Sequence, residues 1–425
     1  MNENLYCIWL SLACGAGSPV PQKLLSAFGD AAKIYEAGEE EFNASENLDI
    51  DENIMSGLLD KNLDESEKIL EFCDKNNVSI LNCGSGLYPK RLRNIRAFPA
   101  VLYYRGRLPD IDDNLCIAMV GTRRMTEYGK NAAYELAGEL ALCGAVIVSG
   151  MAGGIDTVSH KGCIAAGGFT IAVFGCGIDR VYPPENKELM NKIIETGLII
   201  TEYAPGTEPK GVNFPIRNRI ISGLSQAVLV VEADNRSGAL ITAKTALFQG
   251  RGLYAVPGNI NSKNSRGSNN LLKNRAGIVT DAYDILSEYE HLYSHRINIE
   301  NSRYYKGKKD FYKNKREKEQ EKQAAAKISD KIKESAAAAE PPVDTPAIPL
   351  GEKLAALQII LNEAELKVFA EFYSNPGQKL RSDDIVPEDM NISDVINTLT
   401  FLEIYGIITS FPGDYYTVSE GFLNL

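Results

Sequence analysis

Apolar residues along the chain fall in short continuous runs, separated by longer segments of helical period. Runs rich in β-branched residues occupy 116–120, 145–149, 170–174, 198–201, 227–231 and 253–256. Between them, apolar positions recur every three or four residues, as in 128–143, 186–196 and 239–249. Strands buried on both faces read as continuous apolar runs rather than alternating ones. The pattern predicts an α/β fold, a doubly wound and mostly parallel sheet with helices on both faces. Right-handed crossovers bring every strand's following loop to one rim, where open α/β sheets bind their ligands.

The flanks read differently. Residues 1–75 are helical in pattern, with LLSAFGDAAKIYEAGEEEF giving helix, turn and helix. Residues 76–290 hold the sheet. Residues 291–350 contain a low-complexity stretch, KGKKDFYKNKREKEQEKQ through AAAKISDKIKESAAAAE to PPVDTPAIP, too poor in large apolar residues to bury a core. They are read as a disordered linker. Residues 351–425 show helices at 361–373, 382–386 and 392–405, then a hairpin IITSF–PGD–YYTVS turning at Pro412-Gly413-Asp414. That order predicts a winged helix.

Composition narrows the class. With 44% apolar and 24% charged residues the chain is neither wholly disordered nor fibrous. The net charge of −11 argues against coating nucleic acid by bulk charge. The charge is uneven: residues 1–115 carry 11 basic and 19 acidic groups, 116–290 carry 17 and 16, and 351–425 carry 4 and 12. The sheet segment is thus the least acidic folded part. No Lys or Arg occurs between Ser382 and Leu425, so the expected winged helix would repel phosphates and suits a protein contact better. Eight cysteines without a C-x-x-C pair, and three histidines, make a poor metal set and read as reduced buried thiols. The run 5–13 follows Glu3 with no basic residue, which is wrong for a signal peptide, and no apolar stretch reaches the ~20 residues of a membrane span. The expectation is a soluble, cytoplasmic protein with no membrane partner, no metal and no cofactor.

The rim carries the chemistry. The loops after successive strands contain Gly121-Thr122-Arg123-Arg124, then Ser149-Gly150-Met151-Ala152-Gly153-Gly154-Ile155-Asp156, then Gly175-Cys176-Gly177. Further along come Thr201-Glu202-Tyr203, leading to Phe214-Pro215-Ile216-Arg217-Asn218-Arg219, then Glu232 with Ser237-Gly238, and Pro257-Gly258-Asn259. Glycines admit close backbone approach, and amides at helix starts bind anions. Hydroxyls of Thr122, Ser149, Ser237 and Thr242 can donate to phosphate oxygens, and Arg123, Arg217, Arg219 and Lys244 bring charge. Spread over several strand ends, the set suits a polyanion better than one small ion. Phe214 or Tyr203 offers a ring for stacking. No Walker A string occurs, and the glycines do not fit G-x-G-x-x-G. Asp156, Glu202 and Glu232 either work as acid/base groups or orient the arginines, and the second reading is preferred. His160 reads as a structural histidine. No nucleophilic triad is visible, so the rim reads as a binding site.

These strings together resemble the DNA-processing protein A (DprA/Smf) family: VGTRRMTEYG, SGMAGGIDTVSH, TIAVFGCGIDRVYPPEN, LIITEYAPG, NFPIRNRIISGLS, VLVVEADNRSGALITAKTA and YAVPGN, in order across about 88–290. The resemblance implies an extended Rossmann-like domain that forms a homodimer, binds single-stranded DNA and hands it to a RecA-type recombinase in natural transformation, without catalytic turnover. It also implies a small SAM-like domain at 1–75. Carried over by residue, the DNA-binding set is Gly121, Thr122, Arg123, Ser149, Gly150, Gly153, Gly154, Phe214, Arg217, Asn218, Arg219, Ser237, Gly238, Thr242, Lys244 and Asn259. Two positions depart from the family pattern. Gly153 stands where arginine is usual, which removes a phosphate contact, and Arg275 stands where glycine is usual. The alternative is a Rossmann-like nucleotide hydrolase of the lysine-decarboxylase-like group, whose P-G-G-x-G-T string is absent here.

Overall fold

The computed structural model describes residues 3–45, 48, 50–303, 305–306, 363–374, 378–385, 392–404, 407–411 and 414–419. The chain divides into two units, Met1–Gln323 and Ala324–Leu425.

The first unit is built on a nine-stranded sheet: β1 (Ser79–Asn82), β2 (Val101–Gly106), β3 (Cys116–Val120), β4 (Val146–Ser149), β5 (Thr170–Val173), β6 (Leu198–Thr201), β7 (Ala227–Val230), β8 (Gly252–Ala255) and β9 (Gly277–Ile278). Their order is β1-β2-β6-β5-β4-β3-β7-β8-β9. All neighbours from β6 to β9 pair in parallel, whereas β1–β2 and β2–β6 are antiparallel. The six expected strands are present, and β1, β2 and β9 extend the sheet at its edges.

Side chains alternate between two cores, as the pleat requires. Cys116, Ala118 and Val120 of β3 join Val146, Val148, Ile171 and Val173 under the helices Asn213–Gly223 and Ala239–Phe248. Ile117, Met119 and Ile147 face the helices Glu127–Leu142 and Ile155–Ala165. On that same side, Val101, Tyr103, Ala172 and Ile199 pack with the helix Lys187–Thr196 and with Ile8, Trp9, Leu10, Leu24, Ile34 and Phe42. The N-terminal helices therefore share a core with the sheet. Among them the Lys61 ammonium lies 4.9 Å from the Trp9 ring and 5.3 Å from that of Tyr35, and donates to the Ala37 carbonyl at 2.9 Å.

The helix Arg266–Lys273 ends in a Schellman turn, with Ala276 N–H donating to Leu271 O at 3.0 Å and Arg275 N–H to Leu272 O at 3.1 Å. Arg275 takes φ +70° there, in the left-handed region, and its side chain is exposed. It does not line the cavity described below, so it replaces no phosphate contact. The substitution Arg275→Gly raises stability by roughly 0.5–1 kcal/mol, the left-handed strain relieved less the added chain entropy. Urea unfolding measures it, and a lower midpoint would contradict this account of the turn.

In the second unit, the described elements are the helices Glu363–Ser374 and Ile392–Ile404, a 3₁₀ turn Ser382–Ile385 and the strands Leu380–Arg381, Ile408–Phe411 and Tyr415–Val418. The strands form an antiparallel sheet with Tyr415–Val418 in the middle. Val368, Phe369, Phe372, Val395, Leu399, Leu402, Ile408 and Val418 make its core. The expected linker is ordered at its start, where Ile297 and Ile299 join the core of the first unit and Arg303 pairs with Glu139; residues 307–350 of it, and Leu361, Val386, Tyr405, Pro412 and Gly413 of the expected winged-helix elements, lie outside the described residues.

Candidate nucleic-acid interface

The chain leaves β3 toward β4 on one side and later returns to β7 on the other. The switch point of the sheet is therefore between the C-terminal ends of β3 and β7, where a crevice must open. A cavity of about 620 Å³ lies there. Its walls are the β3 loop (Gly121, Thr122, Arg123 and Arg124), the β7 loop (Asp234, Arg236, Ser237 and Gly238), and one face of the helix Asn213–Gly223 with Phe214, Arg217, Asn218 and Ile221. Ala152, Asp156, Thr242, Tyr182, Lys263 and Asn264 also line it.

Of the sixteen expected residues, the structure gathers Gly121, Thr122, Arg123, Phe214, Arg217, Asn218, Ser237, Gly238 and Thr242 around this cavity. The other seven do not line it. Ser149 is fully buried, its hydroxyl donating to Met119 O at 2.6 Å, so it braces two strands. Arg219 spends a guanidinium nitrogen on both oxygens of Glu202, at 2.7 and 2.8 Å, in a nearly buried pair. Lys244 points along its own helix, 5.8 Å from the Phe248 ring. Asn259 turns back to accept from the Asn261 amide at 2.9 Å. Gly150, Gly153 and Gly154 belong to the loop beneath the cavity. A Cβ on Gly150 would meet the Arg217 guanidinium at 2.6 Å. Gly154 has φ +82°, and a Cβ there would lie 2.3 Å from the Thr122 carbonyl oxygen, so the two loops can touch only through glycine.

Arg217 lines the cavity yet is 2% exposed. Its Nη1 donates to Gly150 O at 2.6 Å and also to Val173 O, and its Nε donates to Asn218 Oδ1 at 3.2 Å. It ties the ends of β4 and β5 to the helix, a strut rather than a free phosphate ligand. Burial pulls it down to about 10, although Asp156 opposes that. Asp156 accepts from the amides of Gly150 and Ala152, at 3.1 and 3.4 Å, and burial pushes its carboxyl up to about 6. Tyr203 is buried and donates to Asn213 O at 3.1 Å, which removes it as a stacking ring. Glu232 orients no arginine. It accepts from Thr126 Oγ1 at 2.6 Å and from Thr126 N at 2.9 Å, fixing the start of the helix Glu127–Leu142.

Phe214 is half-buried, with the Arg123 guanidinium carbon 5.0 Å from its ring and the Tyr182 ring 5.3 Å away. Sequence reasoning left out Arg124, Arg236 and Lys263. The first two are exposed and make no ion pair among the described residues, and Lys263 reaches Asp234 at 3.7 Å. The signal for Arg124 and Arg236 was their adjacency to Arg123 and Ser237 in the same loops. Lys263 lies in a long loop after β8, and nothing local marked it.

His160 is fully buried, with Nδ1 2.7 Å from Thr170 Oγ1, and burial beside Arg217 holds it down to about 3. Below its ordinary 6.5 the unfolded chain takes a proton that the folded chain refuses, so this group's stabilising share is lost as pH falls from 6.5 toward about 3. Asp156 has the opposite sign: between about 6 and 3.8 the folded chain protonates first, and acidification favours folding. In His160→Gln the first effect is gone. Relative to wild type its stability gains up to about 1.4 kcal/mol per pH unit on acidification from 6 to 4. Urea melts at pH 4, 5 and 6 read this, and a constant difference between the two proteins would contradict it.

An open doubly wound sheet with a glycine-lined crevice at its switch point defines a Rossmann-like α/β fold. The sequence matches the family "DNA recombination-mediator protein A" over residues 79–290. It is 40% identical over 232 residues to the DNA processing protein DprA of Streptococcus pneumoniae, covering 54% of this chain and 79% of that one. With DprA of Bacillus subtilis it is 39% identical over 221 residues, 52% of this chain and 74% of the other. Protein Smf of Synechocystis is 40% identical over 223 residues, but the match spans only 56% of its length. The X-ray structure of the Streptococcus pneumoniae protein superposes with a TM-score of 0.58 at 31% identity, covering 67% of this chain and 97% of that chain. The chain belongs to the DNA-processing protein A (DprA/Smf) family.

Proposed function

We propose that this protein binds single-stranded DNA along the C-terminal rim of its sheet and delivers the strand to a RecA-type recombinase, without turnover of its own. The observation that carries this reading is the switch-point cavity, where Arg123, Arg124, Arg236 and Lys263 surround a half-buried aromatic ring in an otherwise acidic chain. Cations track phosphates, and a ring in a concave site suits unpaired bases that can turn a face to it. The amides of Gly153 and Gly154, at the start of the helix Ile155–Ala165, take no acceptor among the described residues and add donors for an anion. The recombinase partner, the homodimer and the cytoplasmic location rest on family membership. No helix among the described residues is long and apolar enough to cross a membrane. The second unit has the element order of a winged helix, and its acidic charge favours a protein partner over duplex DNA.

The hydrolase alternative needs uncommitted carboxylates, and Glu202 and Glu232 are spent on Arg219 and Thr126, while Asp156 in the cavity wall is buried and accepts from two backbone amides. Fluorescence anisotropy with a labelled oligo-dT and a duplex of equal length, at two salt concentrations, tests the proposal. Tighter, salt-dependent binding of the single strand is expected, and equal affinity for the duplex would overturn it. Incubation with nucleoside monophosphates should release no base.

A Cβ at Gly153 would meet nothing within 4 Å, so a side chain there has room. Restoring the family's arginine with Gly153→Arg adds a charged contact of roughly 1 kcal/mol and tightens single-strand binding about 5-fold. Unchanged affinity in the same titration would place the strand away from this loop.

A further inference from the structure

The helix Glu3–Cys14 packs against β1, and near this contact a cavity of about 380 Å³ is lined by Glu3, Cys7, Asp30, Cys83, Gly84 and Arg93. Two sulfurs meet there. Cys7, 1% exposed, and Cys83, 7% exposed, line the same cavity and lie close enough to shift each other's acidity, although one sits in the first helix and the other just beyond β1. They are not equivalent. The contact with Cys7 and the Arg93 charge raise the acidity of Cys83, while burial and the Glu3 carboxylate oppose it. Arg93 is held in place by donating to Cys83 O at 2.6 Å. Cys7 shifts the other way, its thiol form favoured by the same contact and by burial. Cys83, the more exposed sulfur and the one whose own carbonyl anchors Arg93, is thus placed as a nucleophile and Cys7 as the group that resolves it. The cavity gives a small oxidant access to both.

We propose that Cys7 and Cys83 form a reversible disulfide when the protein meets a hydroperoxide, locking the N-terminal helix to the edge of the sheet. With hydrogen peroxide, the Cys83 thiolate attacks one oxygen, an S–O bond forms, and the O–O bond breaks. The departing hydroxide takes up the proton that Cys83 had lost and leaves as water. The Cys7 sulfur then attacks the sulfenic sulfur, the S–S bond forms, the S–O bond breaks, and the leaving hydroxide takes the Cys7 proton. Two thiols are oxidised by two electrons and one peroxide is reduced to two waters. In a reducing compartment the bond reopens by thiol exchange, so it acts as a transient latch.

The intact protein is treated with hydrogen peroxide, denatured in iodoacetamide without reductant, digested and analysed by mass spectrometry. Expected are the Cys7 and Cys83 peptides joined with the loss of two hydrogens, separated again by dithiothreitol, and the other six cysteines alkylated. In Cys7→Ala, Cys83 should stop at the sulfenic acid and react with dimedone. The oxidised wild type should melt at a higher temperature than the reduced protein, because the crosslink closes a long loop. Full alkylation of both cysteines after peroxide would overturn the proposal, as would crosslinks scattered over the other thiols or a Cys83 inert to dimedone in Cys7→Ala.

Discussion

Arg217→Ala lowers the stability of the first unit by about 3–5 kcal/mol, because it strips a buried carboxylate of its main counter-charge. Two carbonyls, Gly150 O and Val173 O, lose their donor, and the buried Asp156 carboxylate keeps only its two amide donors and the Arg123 charge. A domain holds about 5–15 kcal/mol in total, so much of the margin goes. Single-strand binding falls with it, through collapse of the glycine loop rather than loss of a phosphate contact. Arg217→Lys recovers little, since one ammonium cannot span two carbonyls as a planar guanidinium does. Urea unfolding followed in parallel with DNA titration separates the two effects. A shift under about 1 kcal/mol with lost binding would make Arg217 a ligand after all.

The contrasting case is the double variant Arg123→Ala with Arg236→Ala. Both side chains are exposed and line the cavity, and neither is ion-paired among the described residues. Their removal leaves stability within about 0.5 kcal/mol. Losing two charged contacts of about 1–1.5 kcal/mol each weakens single-strand binding roughly 30- to 160-fold. The slope of log affinity against log salt becomes shallower by about 1.4, two phosphates at roughly 0.7 each. Anisotropy titrations across four salt concentrations provide the measurement, and an unchanged slope would remove these arginines from the interface.

The central sheet was legible because six strands are buried on both faces and leave continuous apolar runs. The edge strands were not. Ser79–Asn82 is four residues long and only partly buried, and Gly277–Ile278 is two residues long, too short to leave a pattern. The site was half legible, since sequence shows which charges are present but not which way they point. In NFPIRNRIISG the helical period already carried the answer. Asn213, Arg217 and Ile220 recur at helical spacing on the buried face, whereas Phe214, Asn218 and Ile221 turn toward the cavity. Glu202 does orient an arginine, as the sequence suggests, and that arginine is Arg219.

The structure of a complex with a short oligo-dT tests the central claim most directly. The account predicts a strand crossing the C-terminal ends of β3 and β7, its phosphates on Arg123 and Arg236 and a base against Phe214. A strand bound on any other face of the molecule, with that crevice left open, would contradict it.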